Sequence, residues 1–199
     1  MDDSWDKLDF SNCKFFIDFA LENNLKIRNQ ALISQEVPYF LELVKAAYDS
    51  WPEALKTTSS YYSSLEISMT DYISTTMRNT SPNDVYAWDV VNEVIDKNTV
   101  WHGIEDYICK AFNVAKKVSP KTLMFYNDVD HESMVGSMLE NSDEVFKLVK
   151  ENKDCGIDGV GFQSHFSDDM FERYTDEWLE GIRLNMKRYA EIGIEVHIT

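Results

Sequence analysis

An amide and a carboxylate close the apolar run Tyr86-Ala87-Trp88-Asp89-Val90-Val91-Asn92-Glu93. A carboxyl desolvated in an aromatic cleft can keep its proton near neutral pH and serve as a general acid, and a neighbouring amide can bind a sugar hydroxyl. Taken alone, such a Glu more often caps the following loop or pairs with a cation. Three further runs end on polar groups in the same manner: Asn127-Asp128, Gln163-Ser164-His165 and His197-Ile198-Thr199. An isolated His165 would more often be structural, and Tyr126, before Asn127, is as readily a packing residue as a site residue. Cys13, Cys109 and Cys155 are an odd, widely spaced set with no Cys-x-x-Cys pair. They are expected to be ordinary buried or half-buried thiols rather than a disulfide scaffold or a zinc site. Neither a metal nor a cofactor is expected.

The elements that must hold these groups alternate. Short runs with β-branched or aromatic content, at 26–34, 86–92, 122–127, 159–163 and 195–199, predict parallel strands. Between them Ile104, Tyr107, Ile108, Ala111, Phe112 and Ala115 recur at three- and four-residue steps, as do Trp178, Ile182, Met186 and Tyr189, each laying one apolar stripe on a crossover helix. Helical stretches are also predicted around 15–21, within 38–77 and over 135–149.

Repeated βα units demand a parallel sheet covered by helices, either an open doubly wound sheet or a (β/α)₈ barrel. Only 7 glycines are present and no Gly-x-Gly-x-x-Gly follows a strand, so the phosphate-cradling loop of a nucleotide-binding sheet is missing. Polar residues at several strand ends favour the barrel, whose sites are assembled at that face. No linker or repeat divides residues 1–199, which are expected to form one α/β unit. Lys+Arg total 19 against Asp+Glu 35, a net charge of −16, which argues against nucleic acid and anionic membranes as partners. No apolar run reaches the roughly 18 residues of a membrane span. Asn79-Thr80-Ser81 matches a glycosylation sequon, which matters only in a secreted protein.

Trp88-Asp89-Val90-Val91-Asn92-Glu93 closely resembles the acid/base signature of glycoside hydrolase family 10, the endo-β-1,4-xylanases, whose fold is a TIM barrel. Leu123-Met124-Phe125-Tyr126-Asn127-Asp128 is similar to that family's fifth strand, Asp158-Gly159-Val160-Gly161-Phe162-Gln163-Ser164-His165 to its sixth, and Glu195-Val196-His197-Ile198-Thr199 to the start of its seventh. Residues 28–38 take the place of the third. The resemblance implies a partial barrel of about five parallel strands with crossover helices. It implies a retaining hydrolase acting on xylan or xylo-oligosaccharides, with Glu93 as acid/base and Asn92 on the sugar 2-hydroxyl. Gln163 and His165 would stand beside the nucleophile, His165 orienting it, and Tyr126 near the leaving group, with Trp88 and Asp89 in support. It further implies an extracellular, secreted enzyme.

The same resemblance places the nucleophilic glutamate directly after Thr199. It leaves the first and last barrel strands outside these residues, with Trp5-Asp6 as a remnant of the second, so that a second chain or segment would complete the barrel. Where the family reads Arg-Gly-His-Thr-Leu-Val-Trp-His, this chain reads Arg28-Asn29-Gln30-Ala31-Leu32-Ile33-Ser34-Gln35. Gln30 can still bond a sugar hydroxyl but cannot titrate, and Ser34 removes one wall of the cleft. Two other readings stay open: a degenerate barrel that binds sugar or protein without hydrolysis, and a glycosidase for another β-glycan.

Overall fold

The computed structural model describes residues 9–34, 49–80, 84–95, 100–166 and 176–199. The expectations for Trp5-Asp6, Gln35, Ser81 and the first part of 38–77 fall outside them. The described elements run in the order α1 (Ser11–Glu22), β1 (Ile27–Asn29), β2 (Ile33–Ser34), α2 (Ser59–Asn79), β3 (Val85–Asn92), α3 (Tyr107–Val118), β4 (Leu123–Asp128), α4 (Leu139–Asn152), β5 (Gly159–Phe162), α5 (Asp176–Glu191) and β6 (Glu195–Ile198). All strand pairs are parallel, in the order β1-β3-β4-β5-β6, with β2 also on β3. The strand expected over 26–34 is thus two short pieces on one neighbour. Between them, at Gln30–Ala31, lies a cis peptide bond.

The helices form where the periodicity places them. Thr58 caps α2, its hydroxyl accepting the Tyr61 amide at 3.3 Å, and Leu65, Met69, Ile73 and Met77 then follow at four-residue steps on its buried face. Ala111, Phe112 and Ala115 of α3 and Val145 and Val149 of α4 meet the same layer. Each fully buried aliphatic side chain there contributes roughly 1.5–3 kcal/mol. Trp88 is core as expected, but it lies in this helix-facing cluster rather than in the lumen.

The other face of the sheet is polar. Arg28 reaches from β1 to Asp89 on β3, its Nη2 2.6 Å from Oδ1, and its guanidinium lies 4.4 Å from the Phe125 ring centroid. His197 of β6 tilts against the same ring at 4.3 Å. Glycines on β5 make this possible: a Cβ on Gly161 would sit 2.1 Å from Asn127 Oδ1 and 2.5 Å from Arg28 Nη2.

The cysteine expectation needs correction. Cys109 in α3 and Cys155, in the turn before β5, are joined by a disulfide, and only Cys13 is a free thiol. Two thiols separated by 46 residues carry no sequence mark of their pairing; the packing of α3 beside the 153–155 turn brings them together.

Candidate active site

The C-terminal ends of β3, β4, β5 and β6 converge on one rim. Asn92 and Asn127 sit opposite each other in the register of β3 and β4, and Asn127 pairs in turn with Gly161 of β5. Asn127 Nδ2 donates to Asn92 Oδ1 at 2.8 Å, and Thr199 Oγ1 donates to Asn127 Oδ1 at 3.2 Å. Gln163 Nε2 donates to Asn92 Oδ1 at 3.2 Å and to Glu93 Oε1 at 2.7 Å. With Oδ1 taken by two donors, Asn92 offers a ligand its Nδ2, a donor suited to a hydroxyl oxygen.

Gln163 is oriented from behind. Its Oε1 lies 2.8 Å from His165 Nε2, and because an amide oxygen only accepts, His165 must carry its proton on Nε2. Glu93 holds a left-handed backbone at φ 52, its own N–H donating to the Asn127 carbonyl at 2.9 Å. This turn lifts the carboxyl out of the strand and back over β4 and β5. Glu93, Asn92 and Gln163 are half-buried, while His165 is exposed.

Beneath the rim lies a cavity of about 740 Å³, lined among others by Arg28, Gln30, Asp89, Gln163, His165 and Thr199. Gln30 is thus among the residues around this cavity. Asp89, at the floor, is 1% exposed, and burial raises its pKa while the Arg28 hydrogen bond and charge pull it back. The Ser34 carbonyl accepts the indole N–H of the core residue Trp101 at 3.1 Å.

Tyr126 does not reach the cleft. It is fully buried in the helix-facing core, and its hydroxyl donates to Asp128 Oδ2 at 2.5 Å. Side chains alternate across a strand, so with Asn127 facing the lumen its neighbour must face the helices. The expected leaving-group contact is therefore out of reach of Tyr126. Three further ionisable groups are buried near the rim: Asp128, which ends the β4 run, and His131 and Glu132, which belong to no motif. Asp128 is pushed up to about 6, chiefly by burial, with the Glu93 charge adding to the rise. His131 is pushed down to about 4 by burial, and burial also raises Glu132. Among the described residues no group of three or more His, Cys, Asp or Glu could hold a metal ion, and no helix is long and apolar enough to cross a membrane.

Consecutive parallel βα units, with an Asn-Glu pair and partner amides on the strand-end rim, define a barrel of the glycoside hydrolase kind. The family model for glycosyl hydrolase family 10 matches residues 1–199, and the chain belongs to that family. It is 30% identical over 205 residues to a beta-1,4-xylanase of Dictyoglomus thermophilum, covering 96% of this chain and 50% of that protein. It is 31% identical to endo-1,4-beta-xylanase A of Thermotoga neapolitana, covering 97% of this chain and 17% of that protein. Among solved structures, native xylanase 10B from Thermotoga maritima superposes with TM-score 0.76 at 25% identity, over 98% of this chain and 56% of that one. Xylanase 10B from Thermotoga petrophila, solved with xylobiose, gives TM-score 0.71 at 25% identity over 96% of this chain and 54% of that one. The chain thus spans about half the length of the first of these relatives and of both solved structures.

Proposed function

We propose that these residues carry the acid/base side of a retaining endo-β-1,4-xylanase acting on xylan or xylo-oligosaccharides. The observation that supports it best is the Glu93–Gln163–Asn92 cluster at the strand-end rim, beside a cavity of about 740 Å³ that Gln163 also lines. In the retaining mechanism a carboxylate attacks the anomeric carbon as the acid/base gives its proton to the leaving oxygen, and the same group then takes a proton from the incoming water. Gln163 holds Oε1 of Glu93 and leaves Oε2 to carry that proton; Asn92 Nδ2 takes the 2-hydroxyl. Asp89 is tied to Arg28 and Asp128 to Tyr126, both deeply buried, so neither suits the attacking role. We assign that role, from the resemblance, to a glutamate following Thr199.

The edges of β1 and β6 have no strand beside them among the described residues. We propose that a further segment or second chain pairs with them and completes the barrel, since unpaired edges invite strand addition. We also propose an extracellular location, supported by the Cys109–Cys155 bond, because disulfides persist in oxidising compartments.

The test is reducing-end release from xylan and from β-glucan by the protein that includes the residues after Thr199. Cleavage of xylan alone, with the anomeric configuration retained, supports the proposal. Equal cleavage of glucan moves the substrate to another β-glycan. Saccharide binding without turnover, unchanged by Glu93→Ala, would establish a non-hydrolytic barrel, the outcome to which Gln30 and Ser34 lend weight.

A further inference from the structure

Glu132 lies on the loop after β4 and does not line the lumen, yet it is only 2% exposed, and its neighbour His131 is 0% exposed. Ionisable side chains are rarely buried on a loop without a task. Glu132 Oε1 accepts the backbone N–H of Ser164 at 2.8 Å. Ser164 holds φ 53, a left-handed conformation that costs a residue other than glycine about 1–2 kcal/mol unless its surroundings impose it. On one side of Ser164 is Gln163, which grips Glu93 and Asn92; on the other is His165, which donates to Gln163.

The loop bearing Glu132 is itself anchored. Asn185 of α5 donates from Nδ2 to the carbonyls of His131 and Glu132 at 2.7 and 2.9 Å. His131 Nε2 donates to the Gly161 carbonyl at 3.1 Å, tying the loop to β5. Arg188 donates to Asn185 Oδ1 at 2.8 Å and to the Ser142 carbonyl of α4 at 2.6 Å. A rigid path thus runs from α4 and α5 through the 131–132 loop to the turn that presents Gln163.

We propose that Glu132 is a positioning residue of the acid/base site, its carboxyl holding Ser164 in the left-handed turn and thereby setting Gln163 and His165 against Glu93. The role rests on the reading of Glu93 as the acid/base. The contact requires an acceptor oxygen and not a charge, so glutamine at this position supplies it.

Hydrogen exchange and side-chain amide NMR on the free protein test this, with Glu132→Gln, Glu132→Ala and, as a control for general loss of stability, Ile73→Val in α2. Glu132→Ala is expected to speed Ser164 amide exchange about tenfold relative to the β4 amides, as loss of one buried hydrogen bond would. It also shifts the Gln163 side-chain amide signals. Glu132→Gln restores both, and Ile73→Val lowers Tm while moving neither. Should Glu132→Ala not fold, Glu132→Asp, one methylene shorter, carries the same comparison. Unchanged Ser164 exchange and Gln163 signals in the alanine or aspartate variant would overturn the assignment, as would an equal change in Ile73→Val. These signals come from the unliganded chain, so a failure to cleave xylan would count against the acid/base reading alone and leave this contact standing.

Discussion

Gln163 spans the end of β5 to the end of β3, its single Nε2 shared between Glu93 Oε1 at 2.7 Å and Asn92 Oδ1 at 3.2 Å. One amide therefore sets both the group that would move the proton and the group that would hold the sugar. Gln163→Leu, which keeps the bulk and removes the donor, is expected to lower kcat/KM on xylo-oligosaccharides roughly 10²-fold, with most of the loss in kcat. Steady-state kinetics on the protein that includes the residues after Thr199 check this; a change confined to KM would make Gln163 a binding group only.

The Arg28–Asp89 pair is a buried ion pair at the floor of the lumen. Arg28→Met leaves the Asp89 carboxylate without its partner and removes the contact with the Phe125 ring. It is expected to cost about 3–5 kcal/mol in urea unfolding at neutral pH, and Arg28→Met/Asp89→Leu should recover much of that. If the double variant is no more stable than Arg28→Met, the pair does not account for the loss.

Asp128 and His131 give stability opposite pH slopes. Asp128 rises from 3.8 to about 6 on folding, so the native state binds the extra proton between about pH 4 and 6 and stability falls as pH rises through that window. His131 drops from 6.5 to about 4, so its contribution is present above about pH 6.5 and is lost as pH falls toward 4. Each effect is on the order of 3 kcal/mol at most. Relative to wild type, Asp128→Asn is expected to gain stability as pH rises from 4 to 6, and His131→Asn to lose it. Urea midpoints at several pH values measure both, and parallel curves for all three proteins would contradict the assignment.

The strands and crossover helices were legible in the sequence because a sheet covered by helices demands nearly continuous apolar runs, and the helices between them keep one stripe. Glu93, Asn92, Gln163 and His165 were legible because they end such runs. Tyr126 was not: at the level of the motif it belongs with Asn127, and only the alternation of side chains across β4 separates the two. Glu132 and His131 lie past the strand end, on a loop whose burial depends on Asn185 more than fifty residues later, so no local pattern marks them. The break between β1 and β2 was hidden for a similar reason, since both pieces pair with the same strand and no local residue pattern separates them.

The Cys109–Cys155 bond closes a loop over a separation of 46 residues. Loop entropy gives it roughly 2–4 kcal/mol of stabilisation, so Cys155→Ala, or reduction of the wild-type protein, is expected to lower stability by that amount. Mass spectrometry after alkylation without reduction should find one reactive thiol, Cys13. Three alkylated cysteines would show that the pair is open.

Glu93→Ala in the protein that includes the residues after Thr199 tests the acid/base role of Glu93 most directly, through two substrates. Unactivated xylo-oligosaccharides need their leaving oxygen protonated, whereas an aryl xylobioside with an acidic phenol does not. The expected result is a loss of roughly 10²–10⁴-fold in kcat/KM on the oligosaccharide, with a far smaller loss on the aryl substrate, where glycosylation no longer needs the acid. Equal losses on both substrates, or none on either, would contradict it.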